Sequence, residues 1–215
     1  MDKQAVLQRI TATGVIPVIR AQSADEAAAA IAAIQKGGIS VLEITMTVPG
    51  AVELIREVAR RATDALVGAG TVLDPASAHA CIDAGACFVV SPALNLETIA
   101  ACREAKVAVL PGALTPTEVL TAWNAGADLV KVFPANALGG PSYLRSLKAP
   151  LPQVGLVPTG GVNLQTAKDF IKAGAAALGV GADLVDLPAL RRGEAELITE
   201  RARKFLSLVA EARAE

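Results

Sequence analysis

The chain carries a single histidine, His79, in 215 residues, and three cysteines, Cys81, Cys87 and Cys102, none in Cys-x-x-Cys spacing. No cluster of His, Cys and carboxylate has metal-ligand spacing, so no metal is expected. An odd, scattered set of cysteines in apolar surroundings excludes a disulfide framework and fits reduced core residues in a reducing compartment. Aromatics make up 3% of the residues, and 20 basic side chains face 21 acidic ones for a formal net charge of −1. That leaves neither a cationic footprint nor a stacking platform, and a nucleic-acid partner is not expected. The apolar runs all break well short of the roughly 20 residues a membrane span requires. Met1-Asp2-Lys3-Gln4 leads into a short amphipathic helix rather than an apolar block, so no leader is expected and the cytoplasm is the default location.

What is present is apolar and regular, with 53% hydrophobic and 19% charged residues. No linker or charge block divides the chain, and residues 1–215 read as one domain with a short N-terminal helix. Strand-like runs are expected at Val15–Arg20, Val41–Thr45, Leu66–Ala69, Cys87–Ser91, Ala108–Pro111, Leu129–Phe133, Gly155–Thr159 and Ala177–Val180. Helix-period stretches open at Ser23, Pro49, Asp74, Asn95, Thr115, Gly140, Asn163 and Asp183. Thr115-Pro116-Thr117-Glu118 is the clearest start, with Pro at the first helical position and Glu at the third. Glycine punctuates the helix ends in Lys36-Gly37-Gly38, Asp83-Ala84-Gly85-Ala86, Asn124-Ala125-Gly126-Ala127 and Lys172-Ala173-Gly174-Ala175, where it supplies a left-handed cap. Strands that are apolar without strict alternation are buried on both faces, which implies a parallel sheet covered by helices. Eight such units in this length fit a single (β/α)8 TIM barrel of the α/β class. An open doubly wound sheet is the alternative, but the first strand, Gly14–Arg20, is not followed by the glycine fingerprint that fold normally carries.

Against this pattern Lys131 is out of place. It lies in Asp128-Leu129-Val130-Lys131-Val132-Phe133-Pro134, and burying an ammonium costs several kcal/mol unless it is paired or loses its proton. A neutral amine walled by apolar side chains suits Schiff-base formation with a ketone; an edge-strand lysine facing solvent is the bland alternative. Glu43 raises the same question inside Val41-Leu42-Glu43-Ile44-Thr45. Period-two alternation puts Val41, Glu43 and Thr45 on one face and Leu129, Lys131 and Phe133 on another. If both faces point inward, carboxylate and amine meet and each accounts for the other's burial, either as a catalytic pair or as an ion pair serving specificity. Pro158-Thr159-Gly160-Gly161-Val162-Asn163 and Leu178-Gly179-Val180-Gly181-Ala182-Asp183 end the seventh and eighth strands, where glycine turns and backbone N–H groups commonly hold phosphate. Thr71, after Gly68-Ala69-Gly70, is a further hydrogen-bonding candidate, and Ser91-Pro92 ends the fourth strand. His79 reads as a helix-face residue, and Trp123 and Tyr143 as packing residues.

With these residues in view, the chain resembles the 2-keto-3-deoxy-6-phosphogluconate (KDPG) and 4-hydroxy-2-oxoglutarate (KHG) aldolase family along nearly its whole length. The matching segments are Val41–Thr45, Gly68–Val72, Val90-Ser91-Pro92, Pro111-Gly112, Val130–Ala135 and Pro158–Val162. The resemblance implies a trimeric barrel and class I chemistry without a cofactor, on small 2-keto acids and aldehydes. Lys131 would form the Schiff base and Glu43 would move protons. Thr71 and Thr159, together with Thr45 and Pro92, would meet the substrate, Phe133 would pack on its pyruvate portion, and Gly160, Gly161, Gly181 and Ala182 would hold phosphate. Two positions depart from the best-known bacterial members: Thr47 replaces an arginine, for which Arg20 at the end of the first strand is the expected substitute, and Ala182 replaces a serine. A phosphosugar epimerase barrel and a degenerate binding barrel are the competing readings.

Overall fold

Every strand is buried along its whole length, as a parallel sheet covered on both faces requires. A computed structural model describes residues 2–61 and 64–215; Met1, at the start of the N-terminal segment, lies outside them. The strands are β1 (Val15–Ile19), β2 (Val41–Thr45), β3 (Leu66–Gly70), β4 (Phe88–Val90), β5 (Ala108–Leu110), β6 (Gly112–Ala113), β7 (Val130–Val132), β8 (Leu156–Pro158) and β9 (Leu178–Val180). All pairings are parallel, in a six-stranded sheet of order β5-β4-β3-β2-β1-β9 and a three-stranded sheet of order β6-β7-β8.

The fifth expected strand is therefore not one ladder but two, and Pro111 is the reason. Having no N–H, it cannot donate to a neighbour, yet its carbonyl accepts from Lys131 N–H at 2.9 Å. The segment pairs with β4 before the proline and with β7 after it. At the opposite edge, β8 and β9 meet through isolated bridges, Leu156 to Ala175 and Thr159 to Gly179.

Helices separate the strands: α1 (Lys3–Thr13), α2 (Ala24–Lys36), α3 (Ala51–Arg61), α4 (Pro75–Asp83), α5 (Leu96–Glu104), α6 (Pro116–Asn124), α7 (Pro141–Lys148), α8 (Ala167–Lys172), α9 (Leu187–Arg191) and α10 (Ala195–Ala214). Ser23, Asp74, Asn95 and Thr115 are N-caps as expected, and Thr115 with Glu118 forms a complete capping box. Gly38, Gly85, Gly126 and Gly174 take the left-handed conformation after their helices. Three starts differ. The helix expected from Pro49 begins at Ala51. Asn163 folds a turn of its own, accepting from the N–H groups of Gln165 and Thr166, so α8 begins only at Ala167. Asp183 lies in a turn, and Asp186 is the side chain that caps α9.

The alternation along the strands sorts apolar side chains into two layers. Leu42, Ile44, Val130 and Val132 pack outward under the helices. Ile16, Val41, Leu66, Phe88, Leu110, Leu129 and Val157 pack inward, joined by Val6 and Ile10 from α1, which covers the end where the strands begin. Cys81 and Cys102 are buried free thiols, which burial pushes up to about 11 and about 12. Cys87 departs from the expected core position and is partly exposed. His79 is exposed on α4, while Trp123 and Tyr143 pack against the outer layer. No helix is long and apolar enough to cross a membrane among the described residues.

Candidate active site

Glu43 on β2 and Lys131 on β7 both point inward from the middle of their strands. Lys131 Nζ lies 3.9 Å from Glu43 Oε1, and each residue is 2% exposed. Burial is the main influence on Glu43 and raises its carboxyl above the usual range; the charges of Lys131 and Arg20 pull it down less strongly. Glu43 Oε1 accepts no hydrogen bond from any described residue. A buried acceptor left open is costly in a resting fold and useful where a ligand supplies the missing donor. Lys131 Nζ also lies over the Phe133 ring, 5.4 Å from its centroid.

Close approach makes room for these groups. A Cβ at position 70 would lie 2.1 Å from Glu43 Oε1, and one at position 179 would lie 2.1 Å from Thr159 Oγ1. Only glycine fits beside each side chain. The sequence displayed Gly70 within a motif but gave no sign of this role, which depends on β2 and β3 lying in register, Glu43 opposite Gly68 and Thr45 opposite Gly70.

Phe133 also forms one wall of a cleft of about 350 Å3. Arg20, Thr159, Gly160, Gly161, Gly181 and Ala182 line it as well, so six of the sequence candidates, with Phe133 a seventh, converge there. Gly160 and Gly161 have φ of 93° and 71°, a turn held by Thr166 Oγ1 donating to the Gly161 carbonyl at 2.8 Å. The backbone N–H groups of Gly161, Gly181 and Ala182 donate to no described residue, so a ligand can accept from them, whereas that of Gly160 faces the Gly179 carbonyl in the β8–β9 bridge. Asn136 leans against this turn: a Cβ at Gly161 would meet its Cβ at 2.5 Å. Asp183 lines the same cleft. Nothing in the local sequence places Asn136 beside the glycines, whereas Asp183 closes the second glycine motif and reads there as a helix start.

The remaining candidates are arranged differently. Thr45 is fully buried; its hydroxyl donates to the Ile19 carbonyl at 2.9 Å and accepts from Thr47 at 2.7 Å. Thr45 thus ties the ends of β1 and β2 together, with Arg20 next in the chain. Thr71 is held at φ 58°, a left-handed conformation unusual for a β-branched residue and a form of strain that concentrates at functional sites. Pro92 is partly buried, and its carbonyl would lie 2.3 Å from a Cβ at Gly112. Thr45, Thr71 and Pro92 do not line the cleft that Arg20 and Phe133 share. Among the described residues, no group of three His, Cys, Asp or Glu side chains is arranged to hold a metal ion.

A parallel α/β fold with a buried lysine beside a buried carboxyl whose pKa is raised is an arrangement on which enzyme chemistry centred on an amine can be built. Comparison with known proteins narrows that class. Residues 6–201 match the family described as KDPG and KHG aldolase, and the chain belongs to that family, whose members are carbon–carbon lyases of the class I pyruvate aldolase kind. It is 35% identical over 205 residues to the 2-dehydro-3-deoxy-phosphogluconate aldolase of Dickeya dadantii, covering 95% of this chain and 96% of the relative. It is likewise 35% identical to the KHG/KDPG aldolase of Escherichia coli strain K12, covering 92% and 93%. Among solved structures, the KDPG aldolase of Legionella pneumophila, with pyruvate captured at low pH as a covalent carbinolamine intermediate, superposes with a TM-score of 0.85 at 32% identity, covering 92% of this chain and 96% of that one.

Proposed function

We propose that this protein reversibly cleaves 2-keto-3-deoxy-6-phosphogluconate, 4-hydroxy-2-oxoglutarate or both, giving pyruvate and an aldehyde, glyceraldehyde 3-phosphate or glyoxylate respectively. The observation that carries this reading is the buried pair, Lys131 Nζ 3.9 Å from an unpartnered Glu43 Oε1. The Lys131 amine adds to the C2 ketone to form a carbinolamine. Protonated Glu43, favoured by its burial, gives a proton to the departing hydroxyl, and loss of water leaves the iminium. Glu43, now ionised, removes the C4 hydroxyl proton directly or through a water. The C3–C4 bond breaks, the aldehyde leaves, and the electron pair is held as an enamine. Protonation at C3 and hydrolysis return pyruvate and the free amine.

In this scheme Arg20 holds the pyruvate carboxylate in place of the arginine that Thr47 replaces, and Thr45 positions it by pinning the β1 end. Phe133 packs on the pyruvate portion, Thr71, Thr159 and Pro92 meet the substrate, and Gly160, Gly161, Gly181 and Ala182 cradle its far end, the last three with N–H groups free to donate. The chemistry requires neither metal nor cofactor. Pyruvate and sodium borohydride test the route together: an irreversible mass gain on the Lys131 peptide is expected, and its absence favours a phosphosugar epimerase or a degenerate barrel. Lys131→Arg, whose guanidinium stays charged, is expected to abolish both turnover and trapping. Activity surviving that change rejects the covalent route.

The two sheets are proposed to close into one (β/α)8 barrel, a reading supported by the passage through Pro111 on one side and the β8–β9 bridges on the other. A cytoplasmic homotrimer is proposed on the family resemblance. Exposed Leu73 and Leu96, linked by Asn95 Nδ2 donating to the Leu73 carbonyl at 3.3 Å, are consistent with a buried interface. Sedimentation equilibrium should return three chain masses; a monomer mass overturns the trimer.

A further inference from the structure

Two of the N–H groups open to the substrate's tail, those of Gly181 and Ala182, belong to one tight turn. The Leu184 and Val185 N–H groups both donate to the Gly181 carbonyl, at 3.0 and 2.9 Å, which folds the chain back and leaves the first two N–H groups without an acceptor among the described residues. Ala182 has no hydroxyl to add, so an anion here depends on where the backbone is held. Arg201 holds it, reaching in from α10. Its Nη1 donates to the Asp183 carbonyl at 3.2 Å, and its Nη2 lies 3.0 Å from Asp186 Oδ2. Asp186 Oδ1 in turn accepts the Ala189 N–H at 2.9 Å and caps α9, whose Leu187 and Pro188 line the cleft. A planar fork grips two acceptors at once, and this one joins the turn to the wall beside it. Its mount is firm, since Ile198, Ala202 and Phe205 of the same helix are buried. The other end of α9 is tied separately: Arg191 Nε donates to Glu26 Oε1 at 2.6 Å, and Glu26 Oε2 accepts the Gln22 N–H at 2.7 Å, two residues beyond Arg20. Loss of Arg201 therefore frees the tail end of the cleft and leaves the Arg20 end held.

We propose that Arg201 is a positioning residue for the tail subsite, holding the 181–185 turn so that its open N–H groups receive the anionic end of the substrate. The inference deepens the aldolase reading above and rests on it. Arg201→Met, which keeps most of the stem and loses the fork, is expected to raise KM for 2-keto-3-deoxy-6-phosphogluconate about 10-fold while kcat stays within about 2-fold of wild type. The pyruvate concentration that gives half-maximal borohydride trapping reports only the Arg20 and Lys131 end, and it should not move. Arg201→Lys keeps the charge without the planar fork and should recover only part of the lost affinity. Asp186→Asn keeps an oxygen to cap α9 but loosens the grip on Arg201, and should raise the same KM about 3-fold. A KM that rises together with half-saturating pyruvate marks a general loss of structure and overturns the proposal, as does an unchanged KM in Arg201→Met or full recovery in Arg201→Lys. If Arg201→Met does not fold, the lysine variant and Asp186→Asn carry the same comparison. Wild-type trapping of pyruvate without turnover of the phosphorylated substrate, or with a KM that none of the variants moves, sinks this inference alone; no trapping in the wild type sinks the aldolase reading with it.

Discussion

Glu43 sits where the neutral form of a carboxylic acid is favoured, and that has a measurable sign. Because its folded pKa is raised by burial above the ordinary 4.5, the native protein holds this proton more tightly than the unfolded chain does. Its contribution to stability is therefore complete below about pH 4.5 and is lost as pH rises through the folded value. Glu43→Gln removes that slope. Urea unfolding at about pH 5 and about pH 8 should show the variant gaining on the wild type as pH rises, and a difference that does not change with pH would contradict the assignment. Lys131 and Glu43 were legible in the sequence because a charge inside an apolar run violates the pattern around it, and period two says which way it points. The roles of Gly70 and Asn136 were not. Their importance comes from segments distant in sequence approaching to within contact, Gly70 against Glu43 and Asn136 against Gly161.

Among the elements, α1 has the clearest separable duty. Val6 and Ile10 enter the inner apolar layer beside Ile16, Val41 and Leu66, covering the end of the strands opposite the catalytic pair. Ile10 is completely buried, so Ile10→Ala should cost about 2–5 kcal/mol of stability in denaturant unfolding. Pyruvate trapping at temperatures where the variant remains folded should be unaffected, because stability and chemistry sit at opposite ends of such strands. Loss of trapping in a folded variant would show that the ends are coupled. Element starts were readable wherever a side chain caps its own helix, as at Ser23, Asp74, Asn95 and Thr115. They were misread at Asn163 and Asp183, where a polar residue serves a turn before the helix begins. The split of the fifth strand was also hidden, although Pro111 stood in plain view, because a proline at a strand's end and one between two ladders look alike until the neighbours are known.

At the scale of the whole molecule, the α/β class, the parallel pairing and the covering helices follow from doubly buried strands alternating with capped helices. Chain order predicts neighbours in such a fold, and β1 to β5 pair in sequence. How the strand set divides was not predictable, since it turns on single hydrogen bonds at Pro111 and at the β8–β9 edge. That division has a bearing on catalysis: Glu43 belongs to the six-stranded sheet and Lys131 to the three-stranded one. The amine and the carboxyl proposed to react and to carry protons are thus mounted on separate plates, and the gap between them is a gauge of how those plates are aligned. Substitutions along either seam should dull the enzyme's rate while the fold still stands.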